Sequence, residues 1–224
     1  MVNYNDLHPW MYPVTINNKK VIPGIGSSHS SKKLVDRALF HKELFVNRIK
    51  RVYNFKDKIV LDVGSNCGYF SLEYAKLGSL FTDLIDGRDL SIKQGELLWT
   101  SNGYTNFKFH QENVMSEWNL VTNADFTICA GILYHVKNWE ILLDKIFKVT
   151  NDCILIETAI SKKDRVIKET AGYFNAITET SRKRVPTYDK LIEYSEKFGK
   201  IQIISKPQIP NGFVAERVCI LVQK

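Results

Sequence analysis

Leu61-Asp62-Val63-Gly64-Ser65-Asn66-Cys67-Gly68-Tyr69-Phe70 joins a short apolar run, Ile59 to Val63, to a segment with helical spacing from Tyr69 to Leu77. Strand, glycine turn and helix in that order form the opening unit of a sheet whose strands run parallel. Gly64 and Gly68 are the residues such a turn needs, because the backbone bends sharply and a ligand must approach it without meeting a Cβ. Ser65 and Asn66 fill the bend, and Asn tolerates a left-handed backbone better than most residues. Asp62 lies near the carboxyl end of the strand, where open parallel sheets bind ligands at the point where strand order reverses.

The same alternation continues outward. Strands are expected at Ser79–Ile85, Phe107–His110, Phe126–Ala130 and Cys153–Ile156, with helices over Asp89–Ser101 and Asn138–Val149. The strands are apolar rather than alternating and each crossover is long enough for a helix, which calls for a parallel sheet covered on both faces. Near the end, Pro186-Thr187 opens a helix over Tyr188–Phe198. Ile201–Ser205 and Val214–Val222 then read as two strands joined by the turn-rich stretch Pro207–Gly212, an antiparallel hairpin closing the sheet edge. The expected architecture is α/β and Rossmann-like, with seven strands, mostly parallel. Upstream, Met1–Ser28 is rich in Pro and Gly and reads as an irregular arm with a short strand at Val14–Ile16. From an N-cap at Ser30 or Ser31, the spacing of Leu34, Ala38, Phe45, Ile49 and Val52 predicts one long amphipathic helix. Residues 1–55 are thus taken as arm and helix of a single domain, covering the acceptor side, and 56–224 as its core.

Composition narrows the class. At 224 residues, 44% hydrophobic and 25% charged, the chain has room for one globular core and carries no solenoid period. It lacks an apolar run of membrane-spanning length, so a soluble, cytoplasmic protein with no membrane partner is expected. Cys67, Cys129, Cys153 and Cys219 are widely spaced, and neither disulfides nor zinc are expected. A net charge of +7, with basic clusters at Lys32-Lys33, Arg48–Arg51, Lys162–Arg165 and Arg182–Arg184, fits either a solvated surface or attraction to a phosphate backbone.

The chemistry-bearing residues fall at strand ends. A dinucleotide site would show Gly-x-Gly-x-x-Gly, leaving amides free for a pyrophosphate; here a carboxylate leads the turn, which favours a cationic ligand. The methionine portion of S-adenosylmethionine supplies a sulfonium and an ammonium. Asp86, followed by Gly87, ends the second strand, where an acidic side chain accepts hydrogen bonds from vicinal ribose hydroxyls; a solvated loop carboxylate is the alternative. Asn113 follows the third strand, placed to meet an adenine amino group. Gly131-Ile132-Leu133-Tyr134-His135 follows the fourth, so that Tyr134 and His135 reach the same end of the sheet as Asp62. His135 reads either as a general base for a hydroxyl acceptor or as a residue that only orders the loop.

The Asp-x-Gly turn, Gly131–His135 and the strand ending Ile156-Glu157-Thr158 together resemble the class I methyltransferases. More narrowly they are similar to the wobble-uridine tRNA methyltransferase family, whose best-known members use carboxy-S-adenosylmethionine. Trp10–Ile16 with Pro23-Gly24, Val185-Pro186-Thr187 and Arg217–Leu221 extend the likeness over most of the chain. The resemblance implies that Tyr134 and Arg217 hold the carboxylate of such a donor. The family's lysine before the lead-in has no counterpart, since no lysine precedes Lys19, which favours ordinary S-adenosylmethionine. The function expected is transfer of a methyl group to an oxygen or nitrogen acceptor, on tRNA or on a small molecule or sugar, without a metal. A silent donor- or RNA-binding partner subunit is the alternative from a different class. On this reading Arg217→Ala leaves an ordinary donor nearly unaffected.

Overall fold

The computed structural model describes residues 4–120, 122–163, 165–168, 182–210, 213 and 215–224. Two short strands, β1 (Val14–Ile16) and β2 (Lys19–Val21), form a hairpin in the arm. Helix α1 (Ser31–Lys42) follows, its first turn capped by the Ser30 hydroxyl, which accepts from the Lys33 amide. The core then runs β3 (Ile59–Val63), α2 (Ser71–Lys76), β4 (Phe81–Asp86), α3 (Asp89–Ser101), β5 (Phe107–Gln111), β6 (Ala124–Ala130), α4 (Trp139–Val149) and β7 (Thr150–Ala159). A second hairpin, β8 (Arg165–Lys168) with β9 (Arg182–Val185), precedes α5 (Tyr188–Glu196), β10 (Lys200–Gln208) and β11 (Arg217–Gln223).

The central sheet has seven strands in the order β10-β11-β7-β6-β3-β4-β5. Strands β3 to β7 are parallel, while β11 runs antiparallel to β7 and β10 antiparallel to β11, which gives the expected closing hairpin. Strand order reverses between β3 and β6, so the crevice at their carboxyl ends is the ligand seat of this topology. On one face Trp139, Leu142, Leu143 and Ile146 of α4 bury against Leu61, Val63, Ile154 and Ile156. On the other, Phe45, Ile49, Phe55 and Tyr74 pack on Val60, Phe126, Ile128 and Leu155. The arm packs Trp10, Val14 and Ile16 against Leu84, Leu98 and Trp99, and the Gln94 amide of α3 donates to the carbonyls of Leu7 and Pro9 at 2.7 and 2.9 Å. Among the described residues no helix is long and apolar enough to cross a membrane.

Three expectations need correction. The single helix through Val52 breaks: α1 gives way to a wider π-type turn over Glu43–Arg48 and a 3₁₀ turn over Ile49–Arg51. Leu44, Phe45 and Val46 are all buried, and three consecutive buried positions do not fit one stripe of a regular α-helix. Strand β7 runs past Ile156 to Ala159, because Glu157 lies inside the sheet rather than beyond its end. Strand β10 continues through Pro207 to Gln208, which an edge strand allows. At its bulge the Ile204 carbonyl accepts from Arg48 Nη1 at 2.6 Å, and its pairing with β11 slips between Ile203 and Ser205 and again before Gln208. Asn211, Gly212 and Val214, most of the interior of 161–184, and the basic side chains at 165, 182 and 183 lie outside the described residues.

Candidate functional site

The turn after β3 has the geometry its glycines require. Gly64, Asn66 and Gly68 have φ of 75°, 53° and 67°. The amides of Gly64 and buried Ser65 both donate to the Ile85 carbonyl at 2.9 Å, and the Ser65 carbonyl accepts from the Gly68 amide at 2.9 Å. A Cβ on Gly68 would stand 2.4 Å from Leu84 Cδ2 and 2.6 Å from Trp99 Nε1, so the backbone is pressed onto β4 and α3. Asp62 is buried beneath the turn and accepts a hydrogen bond from the Ser71 hydroxyl. Burial, with a smaller contribution from the neighbouring Asp86, pushes its carboxyl up to about 7, against the opposing bond from Ser71.

Asp86 ends β4 as expected, yet its carboxylate is fully engaged. Oδ2 accepts from the Asn66 amide at 2.9 Å, and Oδ1 from the Arg88 amide at 3.0 Å. The Arg88 guanidinium folds back over Gly87 and grips both oxygens at 3.0 Å. An arginine two residues on was not singled out in the sequence, although the short Asp-Gly-Arg spacing carries the signal. Asn113 uses its Oδ1 locally, accepting from the Met115 amide at 2.9 Å. The adjacent Glu112 has a buried Oε2 with no hydrogen-bond partner, which makes it the better acceptor for an amino group.

Gly131, with φ of 72°, turns the chain out of β6, and its amide donates to the Glu157 carbonyl at 2.9 Å. A Cβ there would lie 4.0 Å from both the Tyr134 hydroxyl and Arg217 Nη2, so those two groups converge above it. The rings of Tyr134 and His135 lie 4.2 Å apart. Arg217, the first residue of β11, stacks between Tyr134 and Phe213, 5.0 and 4.9 Å from their centroids. Its guanidinium forms a two-pronged ion pair with Glu157, which is fully buried. Although burial alone would raise it, the charge of Arg217, with His41 nearby, holds the Glu157 carboxyl down at about 2.

Two further residues join the site without having been named from the sequence. His41, in the last turn of α1, places Nε2 3.6 Å from Glu157 Oε1. Tyr12 from the arm stacks on Tyr69 at 4.9 Å and meets Phe70 edge-on at 5.2 Å, and burial beside Cys67 and Asp62 pushes its hydroxyl far up. Glu157 itself had a readable signal, a carboxylate inside the apolar run from Cys153. Along one face of the sheet the carboxyl ends of β3 and β7 and the amino end of the antiparallel β11 thus present Asp62, Glu157 and Arg217. All four cysteines are free and buried.

Comparison with known proteins agrees with this geometry. The model of a methyltransferase domain family matches residues 36–189, more than half of the chain. A tRNA U34 carboxymethyltransferase of Campylobacter fetus subsp. fetus (strain 82-40) is 34% identical over 91 residues, which are 40% of this chain and 31% of that protein. The crystal structure of the N-terminal domain of EvdMO1, obtained with S-adenosylhomocysteine (SAH) and D-fucose, superposes with a TM-score of 0.71 at 19% identity, over 98% of this chain and 93% of that one. Magnesium protoporphyrin IX methyltransferase from Synechocystis PCC 6803, with bound SAM, gives a TM-score of 0.63 at 12% identity over 89% and 86%. With its strand order, its glycine turn and this family model in agreement, the chain belongs to the methyltransferase domain family and has the class I methyltransferase fold.

Proposed function

We propose that this enzyme methylates an oxygen or nitrogen of an acceptor seated between α1 and the Leu133–His135 turn. The observation that carries the reading is the convergence of the Gly64–Gly68 turn, Gly131, Tyr134 and the Glu157–Arg217 pair at one strand-end crevice. S-adenosylmethionine, when bound, supplies a methyl group already activated by its sulfonium. The residues fit it on two counts: a Cβ on Gly64 would come within 3.1 Å of Ile132 in the loop after β6, and the orphaned Glu112 oxygen suits the adenine amino group. Asp86 and Gly87 would meet the ribose, Asn113 would shape the adenine edge, and Asp62 with Ser65 and Asn66 would face the methionine portion. Tyr134 and His135 would flank the transferred methyl, and catalysis would come mainly from holding the acceptor in line.

An ordinary donor suits the site better than a carboxylated one. Arg217 is neutralised by Glu157, so a further carboxylate beside it would lack the free cation that bidentate recognition needs. On the acceptor two readings stand. The aromatic wall of Tyr12, Phe70 and Phe213 suits a small ring-bearing molecule, in keeping with EvdMO1 having been crystallised with D-fucose. The net charge of +7 and the tRNA-modifying relative favour tRNA instead. Labelled methyl from S-adenosylmethionine, offered to tRNA and to a pool of small sugars and metabolites, decides between them. Label in tRNA that collapses between low and moderate salt selects the nucleic acid. Label in neither pool, with the donor bound, makes the chain a silent binding subunit.

Donor binding carries its own checks. Because the Asp62 carboxyl sits at about 7, ligand cations that favour its ionised form release a proton on binding. SAH affinity is therefore expected to rise with pH from about 6 to 8 and level off above. Calorimetry in buffers of different ionisation enthalpy counts that proton, and a count of zero near pH 6.5 removes Asp62 from the site. At Asp86, replacement by Ala is expected to weaken SAH by roughly tenfold or more, since two charge-assisted bonds are lost. Arg88→Met is expected to tighten it by about threefold to fivefold, because a partly exposed ion pair worth about 1 kcal/mol no longer competes with the ribose. Equal or weaker binding by Arg88→Met shows that Arg88 does not compete with the ligand.

A further inference from the structure

His41 is held as few surface-helix histidines are. Its ring stacks on Phe45 at 4.7 Å and 16°, meets the edge of Phe70 at 5.8 Å, and lies 5.2 Å from Phe213. Its side chain is only 12% exposed. Nε2 points into the sheet toward Glu157, and the charged groups around it are Glu157 from β7, Arg217 from β11 and Arg37 from α1, the last over the Phe213 ring, with the Lys42–Glu73 pair nearby. Nε2 is buried and has no hydrogen-bond partner among the described residues, so Glu157 is the polar group it faces. Phe70 forms a continuous wall from the imidazole to Tyr12 and so to the glycine turn.

That arrangement has a chemical use the methyl-transfer reading leaves open. A neutral hydroxyl is a weak nucleophile toward a sulfonium methyl, and an adjacent base that takes its proton in the transition state accelerates attack by about 10²–10⁴. A carboxylate behind an imidazole fixes which ring nitrogen carries the proton and stabilises the imidazolium once it forms. Glu157 is suited to that role because Arg217 keeps it ionised within the core.

Resting on the methyl-transfer reading above, we propose that His41, oriented by Glu157, is the catalytic base and that the acceptor is a hydroxyl on a compact, uncharged, sugar-like ring. The acceptor oxygen forms its bond to the methyl carbon as the sulfur–carbon bond breaks, and that electron pair stays on sulfur, leaving SAH. The acceptor proton passes to Nδ1 of His41, whose Nε2–H faces Glu157, and leaves to solvent afterwards. The aromatic rings of Phe70 and Tyr12 pack against the C–H faces of such a ring, while Phe213 is held between Arg37 and Arg217, and a neutral acceptor leaves the Glu157–Arg217 pair undisturbed.

Two measurements test this. In the SAH-saturated protein at pH 8, long-range ¹H–¹⁵N correlation spectra should show the His41 ring, identified by its loss in His41→Gln, with its proton on Nε2. A proton on Nδ1 overturns the proposal, whatever the acceptor. With the small-hydroxyl pool, His41→Gln should slow label transfer by about a hundredfold or more. It should leave SAH affinity within about twofold. Unchanged turnover, or label found only in tRNA, also overturns it. If neither pool accepts label, the transfer reading fails by itself, and the ring tautomer still decides the imidazole.

Discussion

Gly68→Ala is expected to lower stability by about 3 kcal/mol or more and to remove measurable donor binding. The residue sits at φ of 67°, where an L side chain costs about 1–2 kcal/mol. The new methyl would meet Leu84 Cδ2 at 2.4 Å and Trp99 Nε1 at 2.6 Å, and forcing a methyl into packed surroundings adds about 1–3 kcal/mol. Neither neighbour yields easily: Leu84 is buried in β4, and the Trp99 indole donates to the Gly68 carbonyl at 3.3 Å. Thermal unfolding should move down by roughly 6–12 °C for a chain of this size. A variant that melts with the wild type and still binds SAH would mean that the turn relaxes freely, against the packing described.

The second large effect concerns the buried ion pair. Arg217→Met should cost about 3–5 kcal/mol, because it strands the Glu157 carboxylate, itself 0% exposed, without its counter-ion. The double variant Glu157→Gln/Arg217→Met should recover most of that loss, since removing both charges leaves only a polar amide to satisfy. The pH dependence has a definite sign. The folded Glu157 carboxyl is depressed to about 2 from 4.5, so its stabilising contribution is present above about 4.5 and disappears as pH falls through 2. In Arg217→Met burial holds the carboxyl above its ordinary 4.5, so it protonates as pH falls toward 4.5 and the gap between variant and wild type should already narrow there. It should narrow further below 4.5 as the wild type loses its own contribution. Chemical denaturation at pH 7 and pH 4 measures both. Additive losses in the double variant would show that the two side chains are not coupled. The consequence for Arg217→Ala is direct: the variant tests the fold before it tests the choice of donor.

The sequence was most legible where period and turn chemistry agree. The apolar run at β3, the glycine spacing after it, and the caps at Ser30 and Thr187 all lie where they were expected, the latter accepting from the Lys190 amide. The tolerance of Asn66 for a left-handed backbone also follows from its side chain. Less legible was anything that depends on contacts between distant segments. His41 reads as one polar residue in an amphipathic helix, and only the sheet brings Glu157 and Arg217, more than a hundred residues away, against it. Glu157 looked like a strand end because a charge seldom lies within a sheet unless something pairs it. Asn113 and Glu112 are neighbours with interchangeable polarity, and only the local bond to Met115 shows which of them is already used.

The irregular course of β10 has a consequence for behaviour at high concentration. An outermost strand ordinarily offers a row of main-chain donors and acceptors to any extended segment that drifts past, the first step toward fibrous aggregates. Here that row is interrupted by Pro207, which lacks an amide hydrogen, and by two slips in register. An incoming strand would find no uninterrupted stretch to zip onto, so this margin should resist polymerisation without help from a partner.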